Sequence, residues 1–244
     1  MLAPINGQRL APFVAGSHIK VEVPKLAGVK AGAFSLTGSA HDAHVYQILV
    51  RHTRNQSSVA CWLHDEAKPG EIVDVSEPRC GLELYPQAAH HCLVAGGSGI
   101  SAFLSHLDAL HRDEDAYELH YAFKDRREGI WCDDLRACHG QRFRQYVSTE
   151  GERLDFNRLL SAQPPGAHVY VCGPPRLLQS AVDAARPSNF PAQAIHWDAY
   201  GWRPRIEGGE RAGRASPARK EWHSVRSQTR RQRIPKPVTA GICP

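Results

Sequence analysis

The sequence lacks a run of apolar residues long enough to span a membrane. No stretch of about 18 consecutive apolar residues occurs in its 244 residues, so we expect no transmembrane helix and no membrane partner. The start of the chain also lacks the basic segment followed by an apolar one that marks a secretory signal. These absences exclude the usual sequence signs of export, and we therefore expect a cytoplasmic protein.

Paired cysteine spacings are missing as well. The seven cysteines are an odd number, they are scattered, and none follows the C-x-x-C pattern. Their arrangement argues against a disulfide framework, against a zinc site and against an iron–sulfur cluster held by this chain. We therefore expect reduced thiols and no metal ligands.

The formal net charge of +5 is unevenly distributed along the chain. Residues 203–244 contain eleven Lys or Arg against three Asp or Glu, so the rest of the chain is slightly acidic. This segment has few apolar residues and no periodicity, and we predict a disordered basic tail. Trp222 is its only aromatic residue, so we expect no nucleic-acid partner. A binding protein that acts through this tail remains an alternative.

Short strands separated by turns that contain Pro or Gly fill residues 1–88. Their β-branched and aromatic residues are typical of strands with one buried face. The close spacing of these strands predicts an antiparallel β-barrel as the first domain. The predicted elements are strands within residues 12–24, 33–37, 45–52 and 71–75, and a short helix at 62–64.

Strands alternate with helices over residues 89–202. This alternation is typical of a doubly wound parallel sheet, which we predict as the second, α/β domain. The predicted strands are 92–95, 117–122, 144–147, 168–172 and 194–197, and the predicted helices are 100–111, 130–138 and 176–185.

The first strand and helix of the second domain are joined by a glycine-rich turn, Gly96-Gly97-Ser98-Gly99. A strand, a glycine turn and a helix place backbone N–H groups where a phosphate can bind them. Glycine there leaves room for a pyrophosphate to approach the backbone. The alternative is a tight turn that binds no ligand, since the spacing departs from the G-x-G-x-x-G pattern.

Ordered motifs in both domains resemble those of the ferredoxin–NADP reductase superfamily. Phe34-Ser35-Leu36 resembles the barrel strand R-x-Y-S-L, and Leu93–Ser101 resembles the segment L-x-A-G-G-x-G-I-T. Tyr170–Pro174 resembles Y-x-C-G-P, and His196–Tyr200 resembles H-x-E-x-F. Leu119–Ala122 resembles the second strand of the nucleotide-binding domain in one branch of this superfamily. That branch contains the phthalate dioxygenase, vanillate demethylase and carnitine monooxygenase reductases.

The resemblance implies a flavin-dependent NAD(P)H oxidoreductase. Such a protein passes electrons from NADH through a flavin to an oxygenase or a ferredoxin-type acceptor. The branch favours FMN over FAD and NADH over NADPH, and the other member of each pair stays open. A degenerate or truncated reductase fragment without flavin turnover is a further alternative.

The first domain is the flavin-binding one under this resemblance. Phe34 packs against the flavin ring, or is an ordinary core residue. Ser35 hydrogen-bonds near the flavin N5 and is one of two catalytic candidates, and Arg51 pairs with the flavin phosphate or is a solvated charge. The flavin-site residues implied in this domain are Phe34, Ser35, Leu36, Leu49, Val50, Arg51 and Ser58.

The second domain binds the nicotinamide nucleotide under the same resemblance. Cys172 is the other catalytic candidate; it lines the nicotinamide site without acting as a nucleophile, or is a small buried hydrophobe. Asp125 favours a ribose 2′-hydroxyl, whereas Arg126 or Arg127 favours a 2′-phosphate. The remaining implied site residues are Gly96, Gly97, Ser98, Gly99, Ile100, Ser101, Gly173 and Pro174, with Asp198 and Tyr200 approaching the flavin.

The sequence departs from the family pattern at several points. The arginine of R-x-Y-S is absent, because Ala31 and Gly32 occupy its place, and residues 56–60 contain no glycine where the phosphate loop has G-G-S. The first barrel strand, expected before residue 12, is short or missing. The resemblance stops after Gly201, where the branch continues into a ferredoxin domain, so we expect that domain to be lacking here.

Overall fold

The computed structural model describes residues 1–5, 9–26, 28–29, 31–41, 44–52, 58–198 and 230–233. The chain divides into two compact units. The first is built from Met1–Gly81, Leu104–Ala109 and the strand at 230–233, and the second from Leu82–Phe103 and Leu110–Asp198.

The strands and helices are numbered in chain order. The strands are β1 (Ala3–Pro4), β2 (Ser17–Glu22), β3 (Gly32–Ser35), β4 (Ile72–Val75), β5 (Arg79–Cys80), β6 (His90–Gly96), β7 (Tyr117–Phe123), β8 (Phe143–Val147), β9 (Ala167–Cys172), β10 (Ile195–Asp198) and β11 (Arg230–Arg233). The α-helices are α1 (Val59–Asp65), α2 (Leu104–Arg112), α3 (Cys132–His139), α4 (Phe156–Ser161) and α5 (Pro175–Ala185).

The first unit contains an antiparallel sheet with the strand order β1-β11-β4-β2-β3, and β5 pairs with β2. Strand β2 shows the alternation of a half-buried strand: Ile19 and Val21 are buried, whereas Glu22 is exposed. The buried side chains pack into one core, whose members include Leu36, Tyr46, Trp62, Val73 and Val75. The antiparallel fold predicted for this part of the chain is confirmed.

Residues 45–52 do not form the predicted strand. Within the described ranges, their bridges are Leu2 to Tyr46 and Leu36 to Ile48. The side chain of Tyr46 is buried instead, and its hydroxyl donates to the carbonyl of Ala11 at 2.6 Å. The β-forming residues of this segment therefore serve core packing more than strand pairing.

Strand β11 lies inside the segment predicted to be a disordered tail. Its residues pair antiparallel with β4 on one side and with β1 on the other. The prediction of disorder does not hold for these four residues, because backbone pairing requires no apolar side chains. The remainder of residues 203–244 lies outside the described residues.

The second unit contains a parallel sheet with the order β10-β9-β6-β7-β8. Cys92–Ala95 of the central strand β6 are fully buried, as expected for a strand covered on both faces. Val94 and Val171 pack against α4 and α5 through Leu159 and Leu178. The doubly wound parallel sheet predicted for the second domain is confirmed.

Two helices within residues 89–202 differ from the sequence prediction. The helix predicted at 100–111 is a 3₁₀ helix from Gly97 to Ala102 followed by α2. Helix α4 is missed because its six residues are too few to show a clear period. Asp155 begins α4 by accepting the backbone N–H groups of Asn157 at 2.9 Å and Arg158 at 3.2 Å.

The structure bears on two expectations from the sequence, that of no transmembrane helix and that of reduced thiols. None of the described helices has the length and apolar character needed to cross a membrane. Cys138 is disulfide-bonded, so the expectation of reduced thiols does not hold at this position. Among the described residues, Cys61, Cys80, Cys92, Cys132 and Cys172 form no disulfide bond.

Candidate functional site

The carboxyl edge of the parallel sheet brings together two of the predicted binding segments. Strands β6 and β9 are neighbours, and the sheet continues from β6 to β7 on one side and from β9 to β10 on the other. Such a reversal of strand order opens a crevice at the carboxyl ends of the strands, where ligands bind in open α/β sheets. The loops that border this crevice follow Gly96 and Cys172.

Three glycines let these two loops touch through their backbones. A Cβ on Gly96 would lie 2.7 Å from Cδ of Pro174, and a Cβ on Gly173 would lie 2.9 Å from Cα of Gly96. A Cβ on Gly99 would collide with the carbonyl oxygen of Cys172. The sequence prediction attributed these glycines to room for a pyrophosphate, but the contact between the loops already requires them.

The turn after β6 also suits an anion. Gly97 has a φ of +53°, and no side chain caps the 3₁₀ helix that begins there. The hydroxyl of Ser101 donates to the carbonyl of Ser98 at 2.9 Å and holds the turn closed. Ile100 and Ser101 are buried, so they support the turn from below, while Gly97 and Ser98 face its surface. The residues present therefore fit a pyrophosphate bound by backbone N–H groups.

Cys172 is fully buried at the end of β9. This burial agrees with its interpretation as a small hydrophobe and with the expectation that it is not a nucleophile. In the sheet Cys172 pairs with Ala95 of β6 and with Asp198 of β10, whose side chain is half-buried. Tyr200, the last predicted site residue, lies outside the described residues.

The two residues predicted to select the ribose are both held in ion pairs. Asp125 accepts the backbone N–H of Arg127 at 3.0 Å and its guanidinium at 2.9 Å. Arg126 forms a bidentate pair with Glu150, with N–O distances of 2.5 and 2.6 Å. The hydrogen bonds from Arg127 lower the pKa of Asp125 to about 2. Asp125 and Arg126 are thus each paired with a side chain of opposite charge.

The aromatic residue predicted to contact a flavin lies in the core of the first unit. Phe34 is 8% exposed and belongs to the same hydrophobic cluster as Val59. Its ring covers Gly32, where a Cβ would lie 2.7 Å from the ring, so an arginine at this position would displace Phe34. Ser35 and Leu36 beside it are also buried. This placement agrees with the alternative that Phe34 is a core residue.

The segment predicted to hold the flavin phosphate is more accessible. Leu49 and Val50 are half-buried, and Arg51 is exposed. The hydroxyl of Ser58 begins α1 by accepting the backbone N–H of Cys61 at 3.1 Å. Residues 53–57, which include the start of the loop without glycine, lie outside the described residues. Arg51 and Ser58 thus offer a cation and a hydroxyl to a phosphate.

The structure contains a cavity on one face of β7 and β8 that was not predicted from the sequence. Its volume is about 420 Å³, and its lining includes Glu118, His120 and Tyr146. The Nδ1 of His120 lies 2.8 Å from the hydroxyl of Tyr146. Burial raises the pKa of Glu118, but hydrogen bonds from His120 and Gln163 outweigh it and bring the pKa to about 2. The signal in the sequence is the alternation of polar residues at 118 and 120 within a β-forming run.

Comparison with known proteins identifies the family. The family model for the N-terminal domain of dimethylamine monooxygenase subunit DmmA-like proteins matches residues 76–195. The carnitine monooxygenase reductase subunit of Acinetobacter baumannii is 33% identical over 195 residues, which cover 80% of this chain and 60% of that protein. The solved structure of phthalate dioxygenase reductase matches with a TM-score of 0.72 at 26% identity, over 82% of this chain and 62% of that one. The chain belongs to the ferredoxin–NADP reductase superfamily.

Membership of the ferredoxin–NADP reductase superfamily confirms the resemblance read from the motifs, including the branch. The phthalate dioxygenase reductase of Burkholderia cepacia is a further relative, 28% identical over 80% of this chain and 61% of its own length. The chain spans about three fifths of the length of the curated relatives it matches.

Proposed function

We propose that this chain is a flavin-dependent NAD(P)H oxidoreductase that passes electrons from NADH through a flavin to an oxygenase partner. The observation that carries the proposal is the glycine-lined edge between β6 and β9, in a chain whose relatives are named as reductases of oxygenase systems. One matched structure is described as a modular structure for electron transfer from pyridine nucleotides to a [2Fe–2S] centre. For this chain the acceptor is an oxygenase component or a ferredoxin-type protein.

The second unit is proposed to hold the nicotinamide nucleotide. The backbone of Gly97 and Ser98 binds the pyrophosphate, and Gly173 and Pro174 border the nicotinamide. Cys172 supports this border from the interior. Hydride transfer requires donor and acceptor carbons about 3–3.5 Å apart, so the work of these residues is positioning.

The choice of nucleotide is proposed to rest on Asp125. Its carboxylate accepts a ribose hydroxyl and repels a 2′-phosphate. Arg126 cannot offset this repulsion while Glu150 pairs with it. We therefore favour NADH over NADPH.

The first unit is proposed to hold the flavin, and FMN is favoured over FAD by the branch. When bound, a flavin would accept a hydride and release electrons one at a time. Arg51 and Ser58 bind its phosphate, and the hydroxyl of Ser35 hydrogen-bonds near N5. Glycine at position 32 removes one charge-assisted contact, which costs about 1.5–3 kcal/mol, or about one to two decades of flavin affinity.

An absorbance spectrum of the purified full chain tests the proposal. After reconstitution with FMN or FAD and removal of free flavin, we expect a yellow protein whose flavin absorbance bleaches anaerobically with NADH and more slowly with NADPH. A protein that stays colourless with both flavins would instead support a degenerate fragment without turnover.

A matched pair of arginine variants separates specific flavin binding from general charge effects. R51A removes the proposed phosphate partner and is expected to weaken FMN binding about tenfold. R79A removes an exposed arginine on β5 of the same unit and leaves FMN affinity unchanged. Equal losses in the two variants would remove Arg51 from the flavin site.

A further inference from the structure

A second group of reactive side chains lies in the first unit, on and beside α1. The carboxylate oxygen Oδ2 of Asp65 lies 3.1 Å from Sγ of Cys61 and 3.2 Å from Nε2 of His52. These three donor atoms all lie within 4.8 Å of one another. One sulfur and one nitrogen therefore lie beside the same carboxylate oxygen.

The local fold explains this convergence. Cys61 and Asp65 are four residues apart on α1, so their side chains lie on the same face of the helix. The helix is fixed by Val59 and Trp62, which are 2% exposed and pack into the core of the unit. His52 reaches the same face from the end of the segment that precedes the helix. Two of the donors are thus on a rigid element and the third comes from a separate stretch of chain.

His64 supports the arrangement from the neighbouring position. Its Nδ1 lies 3.0 Å from Oδ1 of Asp65, the carboxylate oxygen that the other two residues do not use. Its ring centroid lies 4.7 Å from that of His52. Such a contact fixes the orientation of a carboxylate ligand, as the outer partners of metal ligands do.

The donor set, and the two distances measured from Asp65, are close to those of a zinc site. Zinc binds nitrogen, sulfur and oxygen ligands at about 2.0–2.3 Å in tetrahedral geometry, which places ligand atoms roughly 3.3–3.6 Å apart. The distances of 3.1 and 3.2 Å from Asp65 differ from this by tenths of an ångström. A thiolate and a carboxylate supply two negative charges, which balance a divalent cation.

We propose that His52, Cys61 and Asp65 bind a zinc ion, with water at the fourth position. Binding replaces the proton of the Cys61 thiol by a Zn–S bond, and that proton goes to solvent. The side chains of His52 and Asp65 are 53% and 44% exposed, so the ion enters from solution without opening the core. The sequence analysis expected no zinc site because no C-x-x-C spacing occurs. The proposal revises that expectation, since His52 lies nine residues before Cys61, outside any such spacing.

Titration of the metal-free full chain with Co²⁺ tests the site spectroscopically. We expect one equivalent of Co²⁺ to produce a thiolate-to-cobalt charge-transfer band, and one equivalent of Zn²⁺ to remove it. C61S abolishes the band, and H52A weakens Co²⁺ and Zn²⁺ binding at least tenfold in competition with a chelating dye. C132S, which removes a free thiol on α3, leaves both measurements unchanged.

Thermal unfolding gives a second measurement that does not depend on colour. Saturating Zn²⁺ raises the unfolding temperature of the wild-type protein and of C132S but not of C61S or H52A, because only a folded site binds the ion tightly. H52A changes an exposed side chain, so it is expected to fold without metal. Absence of the cobalt band in the wild type, or its persistence in C61S, would overturn the site. Since no step involves flavin or NADH, the result is independent of reductase activity.

Discussion

Gly99 shows at the scale of one residue how the candidate nucleotide site depends on backbone contact. An added Cβ meets the carbonyl of Cys172 and lies 3.0 Å from Cα of Gly173, and neither backbone atom has room to move. We expect G99A to lower the free energy of unfolding by about 1–3 kcal/mol, as overpacking does. Urea denaturation followed by circular dichroism measures this loss.

The same substitution at Gly38 is the control for G99A. A Cβ at Gly38 meets only the side chain of Gln47, at 3.3 Å, and this flexible chain is free to shift. G38A is therefore expected to change the unfolding free energy by less than about 0.5 kcal/mol. If G99A and G38A prove equally mild, close contact of the two loops is not what demands glycine at position 99.

Residue identity was predictable from the sequence at this site, but residue environment was not. The glycines after β6 and β9 stand out as a motif, yet only coordinates show that Gly96 and Gly173 are in contact, since 77 positions separate them in the chain. Phe34 likewise fits an aromatic position of the family, while its 8% exposure depends on how the unit packs. Motifs report chemical type, whereas burial depends on contacts between distant segments.

At the scale of one element, α3 ends at His139, which is harder to protonate in the folded protein than in the unfolded chain. Burial, together with the positive charges of His111 and Arg142, lowers the pKa of His139 to about 4. Its Nδ1 lies 2.8 Å from the hydroxyl of Tyr117. Below the ordinary histidine pKa of about 6.5 the unfolded chain binds the proton more readily than the folded one, so stability falls as the pH drops from about 6.5 to 4.

H139Q removes this titration and retains a side chain that can bond to Tyr117. We expect the urea midpoint of the wild type to fall more steeply between pH 7 and pH 5 than that of H139Q. His90, His91 and His168, whose pKa values burial also lowers, maintain part of the slope in both proteins. H41Q, at an exposed position, should keep the full wild-type slope; identical slopes in all three proteins would contradict the role of His139.

Elements were predictable where periodicity or alternation is long enough to read. Helix α5 and strands β6, β7 and β9 were expected within one or two residues of their observed bounds, because each buries a regular pattern. Residues 100–102 were expected as α-helix because their side-chain spacing does not distinguish a 3₁₀ helix from an α-helix. Helix α4 lacks a local pattern altogether, whereas the β-forming residues around Tyr46 and Ile48 predicted a strand where only bridges form.

At the scale of the whole molecule, the sheet of the first unit includes β11, although the composition of residues 203–244 predicted a disordered tail. Strand β11 stands between β1 and β4, with Gln232 paired to Val73 and Arg233 paired to both Ile72 and Ala3. Without β11, β4 exposes an edge of unpaired N–H and C=O groups, and β1 loses its neighbour in the sheet. An exposed edge of this kind promotes pairing between chains.

Two shortened chains separate the strand from the remainder of the basic segment. A chain ending at residue 202 lacks β11, and we expect it to unfold at a lower urea concentration than the full chain and to form larger species on size-exclusion chromatography. A chain ending at Arg233 retains the strand and, when all chains are compared in reducing buffer, is expected to match the full chain in both measurements. If the chain ending at residue 202 is as stable and as monodisperse as the full one, β11 contributes nothing to the first unit, and the composition-based prediction of a tail without structure is the better description. If both shortened chains lose stability equally, the contribution lies beyond Arg233, because the register of β11 with β4 is present in only one of them.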